Sequence, residues 1–207
     1  MLVVWAWGAA WGAAPFSHRI HLQQGLDCTF CHALAPKSTA VEDNLLPQKQ
    51  VCLNCHEDAV VPPRRPDTGP ARLTRFSHAL HLRMGDVAPF IAAAIDKHNY
   101  FERPGAGALW VRGHLGTKNP CEACHRGLEE SDQVTSAALP EMPDCLVCHT
   151  QIDAPFSCED CHAKNAALKP ANHTEHFVDA HSSGKLKLDK TTCAVCHGRT
   201  FTCMGCH

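Results

Sequence analysis

The sequence predicts a fold with little regular structure: short α-helices and loops wrapped around bound groups, with little or no β. Three observations predict it. All fourteen cysteines fall into seven Cys-x-x-Cys-His motifs. Seven such motifs in 207 residues leave roughly 30 residues for each, too few for a conventional hydrophobic core. Fourteen prolines and thirteen glycines favour loops over long elements, and no alternating strand pattern stands out.

The motifs are Cys28–Cys31–His32, Cys52–Cys55–His56, Cys121–Cys124–His125, Cys145–Cys148–His149, Cys158–Cys161–His162, Cys193–Cys196–His197 and Cys203–Cys206–His207. This is the spacing that attaches a c-type haem, with thioether bonds from both cysteines and iron ligation by the adjacent histidine. Zinc knuckles and seven disulfides are competing readings of the same cysteines. Neither explains a histidine after every second cysteine. With histidine at 16 of 207 residues, chance gives seven such placements odds on the order of 10⁻⁸. Seven covalently bound haem c groups are therefore the expected cofactors. The porphyrins become the core, and haem binding supplies folding energy.

Taken in order, residues 1–14 are wholly apolar and read as the remnant of an export signal, with a shortened anchor as the other reading. They are too short to span a bilayer, which takes about 20 residues. Phe16-Ser17-His18-Arg19-Ile20-His21 returns sixty residues later as Phe76-Ser77-His78-Ala79-Leu80-His81. On a helix, i and i+3 lie on one side but diverge, so one HxxH turn can reach two irons. His21 to His56 and His114 to His149 share one pattern, with Leu46-Pro47 matching Leu139-Pro140, which points to an internal duplication.

The Pro-rich stretch 61–72 reads as a linker. The division expected is a two-haem module at 15–60, a three-haem module at 73–163 with an insert at 84–113, and a two-haem module at 170–207. Pro89–His98 is the best helix, opened by proline. Short helical turns are expected around each HxxH and each CxxCH. The insert helix (Phe90, Ile91, Ile95) and Trp110 are expected to cap an exposed haem edge, with a docking surface as the alternative.

Formal charge is −2 before the haem propionates are counted, which argues against a nucleic-acid partner. The one basic cluster, Lys185, Lys187 and Lys190, reads as a solvated stretch or a steering patch for an acidic partner.

The run of FSHxxH, CxxCH and Leu-Pro-x4-CxxCH over Phe16–His56 and Phe76–His162 resembles the class III multihaem cytochromes, including the tetrahaem c3 and trihaem c7 types. His173, Phe177 and His181, ahead of Cys193 and Cys203, resemble another arrangement of that superfamily. The resemblance implies bis-histidine haems, attachment outside the cytoplasm and low-potential electron transfer. The seven-haem count and the insert depart from its pattern.

Each motif histidine is then a proximal ligand. The expected distal ligands are His18, His21, His78 and His81 of the HxxH turns, His114 in the place of His21 within the repeat, and His173 with His181, for which His176 is the substitute. His98 is spare, a propionate partner. Met84, Met142 and Met204 are expected to be packing residues.

The function expected is a periplasmic or extracellular electron carrier, or an electron-transfer subunit of a redox complex, rather than an enzyme. Its partners would be other cytochromes, a quinol-oxidising module or a hydrogenase-like donor, with membrane association only through the N-terminus or a partner. A multihaem reductase would need an iron with an open position. The chain offers surplus histidines and no CxxCK variant. A conductive filament is the remaining alternative.

Overall fold

The structure is a computed structural model, and it describes residues 16–58, 73–100, 107–116, 119–133, 138–152, 158–164 and 173–185. The apolar leader, the Pro-rich stretch 61–72 and both closing CxxCH motifs lie outside the described residues. Among the described residues there is no strand; one isolated bridge joins Leu73 to His162. None of their helices is long and apolar enough to cross a membrane.

Among the described residues eight short α-helices carry the architecture: α1 (His18–Gln23), α2 (Cys28–Cys31), α3 (Lys49–Cys52), α4 (His78–Arg83), α5 (Ala88–Asp96), α6 (Ala108–Gly113), α7 (Met142–Ile152) and α8 (Phe177–Ser182). Serine starts both HxxH helices. Ser17 accepts from Ile20 N at 3.3 Å and Ser77 from Leu80 N at 3.2 Å, each satisfying a backbone donor the first turn leaves open. The helix expected over 89–98 spans 88–96. His98 ends it in the left-handed region at φ 53°, where histidine is more tolerated than branched residues. The longest element among the described residues is instead α7, which runs through the fourth motif and carries Pro143 in its first turn, where no amide partner is lost.

The two FSHxxH-led halves dock reciprocally. Helix α1 packs on the 3₁₀ turn Leu128–Glu130, just after the third motif, and α4 packs on the 3₁₀ turn Ala35–Lys37, just after the first. Arg19 N donates to Ser131 O at 3.2 Å, and Ala79 N donates to Ser38 O at 2.9 Å. Ser38 and Ser131 are repeat equivalents, as are Arg19 and Ala79. Each half thus supplies the carbonyl that anchors the other half's helix.

Among the described residues, only the second half has an apolar core. Ile91, Ile95, Tyr100, Ala108 and Val111 cluster between α5 and α6, with Val147 of α7 packed against them. The insert is therefore more than an edge cap: Ile91 and Ile95 are buried beneath α7, while Phe90 and Trp110 stay exposed. Met84 and Met142 are also exposed rather than packed, and Met204 lies outside the described residues.

Candidate haem-ligating site

Each HxxH histidine on α1 and α4 faces a motif histidine. The ring centres of His18 and His32 lie 6.4 Å apart, and those of His21 and His56 lie 6.0 Å apart. In the second half His78 faces His125 at 6.4 Å and His81 faces His149 at 6.3 Å. One HxxH turn thus serves two different motifs in each half. The interplanar angles repeat as well, 19° and 13° for the first pairs, 49° and 39° for the second.

The spacing is a test of fit. Two imidazoles bonded to one metal at about 2 Å, with ring centres about 1 Å beyond the bonded nitrogens, place those centres roughly 6 Å apart. Rings that touch directly in this chain come closer: Phe16 stacks on His21 at 4.6 Å and Phe76 on His81 at 4.5 Å. The four histidine pairs leave room for an iron between them. They meet strictly in twos, because no group of three His, Cys, Asp or Glu side chains suited to a metal exists among the described residues. That is the donor set a haem needs, since the porphyrin brings the other four nitrogens. It is not the three or four protein ligands of zinc. Cys28, Cys31, Cys52, Cys55, Cys121, Cys124, Cys145 and Cys148 form no disulfide, so the disulfide reading gains nothing.

Backbone carbonyls orient the rings. Nδ1 of His21 pairs with Ser17 O at 2.7 Å and Nδ1 of His81 with Ser77 O at 2.8 Å. Nδ1 of His32 pairs with Leu45 O at 2.7 Å and Nδ1 of His125 with Ala138 O at 3.0 Å. A carbonyl fixes the proton on Nδ1 and leaves Nε2 with its lone pair for a metal. Burial, then His32, His21 and His125, holds His18 below the ordinary imidazole range. Burial, then His125 and His81, does the same to His78, against a smaller raising effect of Asp43. His125 is lowered chiefly by burial. All three therefore favour the neutral, ligating form.

The first and third motifs abut. A hydrogen bond between the Cys28 and Cys121 thiols raises Cys28 and lowers Cys121. Asn119 staples the two: its Nδ2 reaches Cys28 Sγ at 3.4 Å and Asp27 Oδ1 at 3.2 Å, while its Oδ1 accepts from Cys121 N at 2.9 Å.

His114 has the same local dress as the paired histidines. Its Nδ1 pairs with Trp110 O at 2.8 Å, and its ring stacks on Trp110 at 4.3 Å. Gly127, at φ 70°, packs against the Trp110 indole in a backbone conformation that would strain a residue with a side chain. Nε2 of His114 lies 3.4 Å from Glu130, with no motif histidine stacked against it among the described residues. His173 stacks on Phe177 at 4.5 Å and His181 lies nearly parallel to the same ring at 5.9 Å, whereas His176 stands exposed beside Glu175. His98 is exposed at the end of α5. His162 is described and tied to Leu73; Lys185 is exposed, and Lys187 and Lys190 lie outside the described residues. His197 and His207 lie outside them too.

Sequence reasoning singled out HxxH and motif histidines that the structure brings face to face, but missed what packs beside them. The aromatic before each HxxH turn is visible in the sequence as Phe16 and Phe76, with Trp110 ahead of His114, and that recurrence was the available signal.

Residues 19–207 match the family described as outer membrane cytochrome MtrC/MtrF-like, domains II/IV. No curated protein and no solved structure matches the chain. The match bears on the multihaem c-type cytochromes as a whole and does not select the class III c3 and c7 types. With nearly its whole length matched and a mostly irregular, helical fold around paired imidazoles, the chain belongs to the MtrC/MtrF-like family of multihaem electron-transfer cytochromes.

Proposed function

We propose that the chain is a heptahaem c-type cytochrome that conducts electrons through bis-histidine, low-potential sites, as an exported carrier or an electron-transfer subunit of a larger redox complex. The observation that carries this reading is the set of four imidazole pairs at 6.0–6.4 Å, each joining a motif histidine to an HxxH histidine. Haem, when bound, supplies one-electron exchange between ferric and ferrous iron. The fourteen motif cysteines fasten it, and the motif histidines ligate from one face. His18, His21, His78 and His81 close the other face at four sites. His114, His173 and His181 do so at the remaining three, the choice of His181 over His176 being supported by its ring lying parallel to Phe177 on α8. With both axial positions filled, and with His21, His32, His81 and His125 held by backbone carbonyls, the iron surroundings move little between oxidation states, which suits transfer rather than catalysis.

The order of sites departs from the order of motifs. Helix α1 joins the His56 site to the His32 site, the Cys28–Cys121 contact joins that site to the His125 site, and α4 continues to the His149 site. We read the route as second, first, third, fourth, through the modules 15–60 and 73–163, with 170–207 carrying the last two haems. Partners are redox proteins: other cytochromes, a quinol-oxidising module or a hydrogenase-like donor. The location is periplasmic or extracellular, in keeping with an outer-membrane family. Kinship with the c3 and c7 types is the finer assignment, supported by the FSHxxH phrase.

Pyridine haemochrome against protein mass, with EPR of the oxidised protein, tests the proposal. Seven haems per chain with low-spin ferric signals are expected. A colourless or zinc-loaded protein overturns it, and a strong high-spin signal that responds to nitrite turns the assignment to a reductase.

A further inference from the structure

The two halves hold their paired imidazoles by the same carbonyls yet differ at one buried cluster. Arg126, directly after His125, corresponds to Ala33 in the first half; Asp144, directly before Cys145, corresponds to Val51. Arg126 Nη2 and Asp144 Oδ2 meet at 2.6 Å, with side chains 3 % and 2 % exposed. Arg126 Nη1 donates to Ala123 O, inside the third motif, at 2.6 Å. Asp144 also accepts from Tyr100 Oη at 2.8 Å and from Glu141 N at 2.8 Å. The guanidinium Nε is buried without a partner. Taking such a pair out of water costs as much as its attraction returns, so it is weak as a stabiliser, and the first half builds the same histidine geometry with alanine and valine.

We propose that Arg126 and Asp144 are positioning residues that hold a fixed cation against the third haem site and a fixed anion against the fourth, setting their reduction potentials apart from those of the equivalent first-half sites. The proposal rests on the haem reading above. Ferric iron carries one more positive charge than ferrous iron. A nearby cation therefore favours the reduced form and raises the potential, and a nearby anion lowers it. Burial of the cluster keeps water from screening either charge. Tyr100 is raised by burial and by Asp144, so it stays a hydrogen-bond donor that fixes the carboxylate in place.

The test is a potentiometric titration of the haem-loaded full chain, with individual sites followed by EPR or by NMR of haem methyl signals, and haem content measured on each variant. D144N should move the affected sites to higher potential and R126Q to lower potential. R126A/D144V, which carries the first half's residues without leaving a lone buried charge, should bring the third and fourth sites onto their equivalents. R126K should keep the wild-type potentials. Unchanged potentials in R126A/D144V at full haem content would overturn the inference and leave the haem reading intact. Equal shifts in R126K and R126Q would also overturn it, by showing that packing and not charge is responsible. A wild-type chain without haem would instead sink the underlying reading.

Discussion

The first half, 16–58, and its equivalent, 76–149, reach the same paired-histidine geometry by different means. In the first half the buried side chains are Ser17 and Ser38, and no apolar residue is buried. The second half has Ile91, Ile95, Ala108 and Val111 beneath its motifs, and a buried ion pair between two of them. Yet ring separations in corresponding pairs agree within 0.3 Å, 6.4 against 6.4 and 6.0 against 6.3. Placement of the His21 and His81 rings therefore comes from short-range devices: a serine cap, a carbonyl four residues back and a stacked aromatic. A hydrophobic core is not needed for it, although it alters the surroundings in which each site works.

That comparison can be broken most severely at the ligands. His18→Ala and His78→Ala each remove one member of a matched pair. Each should convert one site from low-spin to high-spin ferric iron, with EPR signals of equal size in the two variants. A signal in only one of them would end the equivalence of the halves. Next in size is Ile91→Ala, which empties a core position 2 % exposed and should cost about 2–5 kcal/mol. Because the first half has no corresponding core, urea titration should show the loss at the third and fourth sites while the His18 and His21 sites keep their low-spin spectra. The smallest effect sharpens the comparison instead. Ser17→Ala and Ser77→Ala each delete a helix cap that also bonds across to the other half, and each should lower stability by about 1 kcal/mol. Chemical denaturation of the two variants should give matching losses.

Much of the site was legible because the motif is a covalent requirement written in five consecutive residues, and HxxH is one helical turn. The duplication supplied His114 by position, and Trp110 beneath its ring fits that placement. What escaped the sequence depends on contacts between distant segments. The bond from Arg19 to Ser131 spans more than a hundred residues, and nothing in either local phrase announces it. The insert read as a cap because its alanines and isoleucines suit any apolar surface, whereas the structure turns Ile91 and Ile95 inward onto α7. Arg126 and Asp144 were readable in principle. Laying the halves over one another sets a charge opposite Ala33 and another opposite Val51, of opposite sign, which is the mark of a compensated pair.

The exchange of carbonyls between Ser38 and Ser131 has a consequence for assembly. A surface that gives what it takes is self-complementary, the property of a two-fold homodimer interface. This polypeptide contains that interface within itself. Covalent continuity replaces a bimolecular association with a tethered one, so the junction between the first and third motifs forms at any dilution.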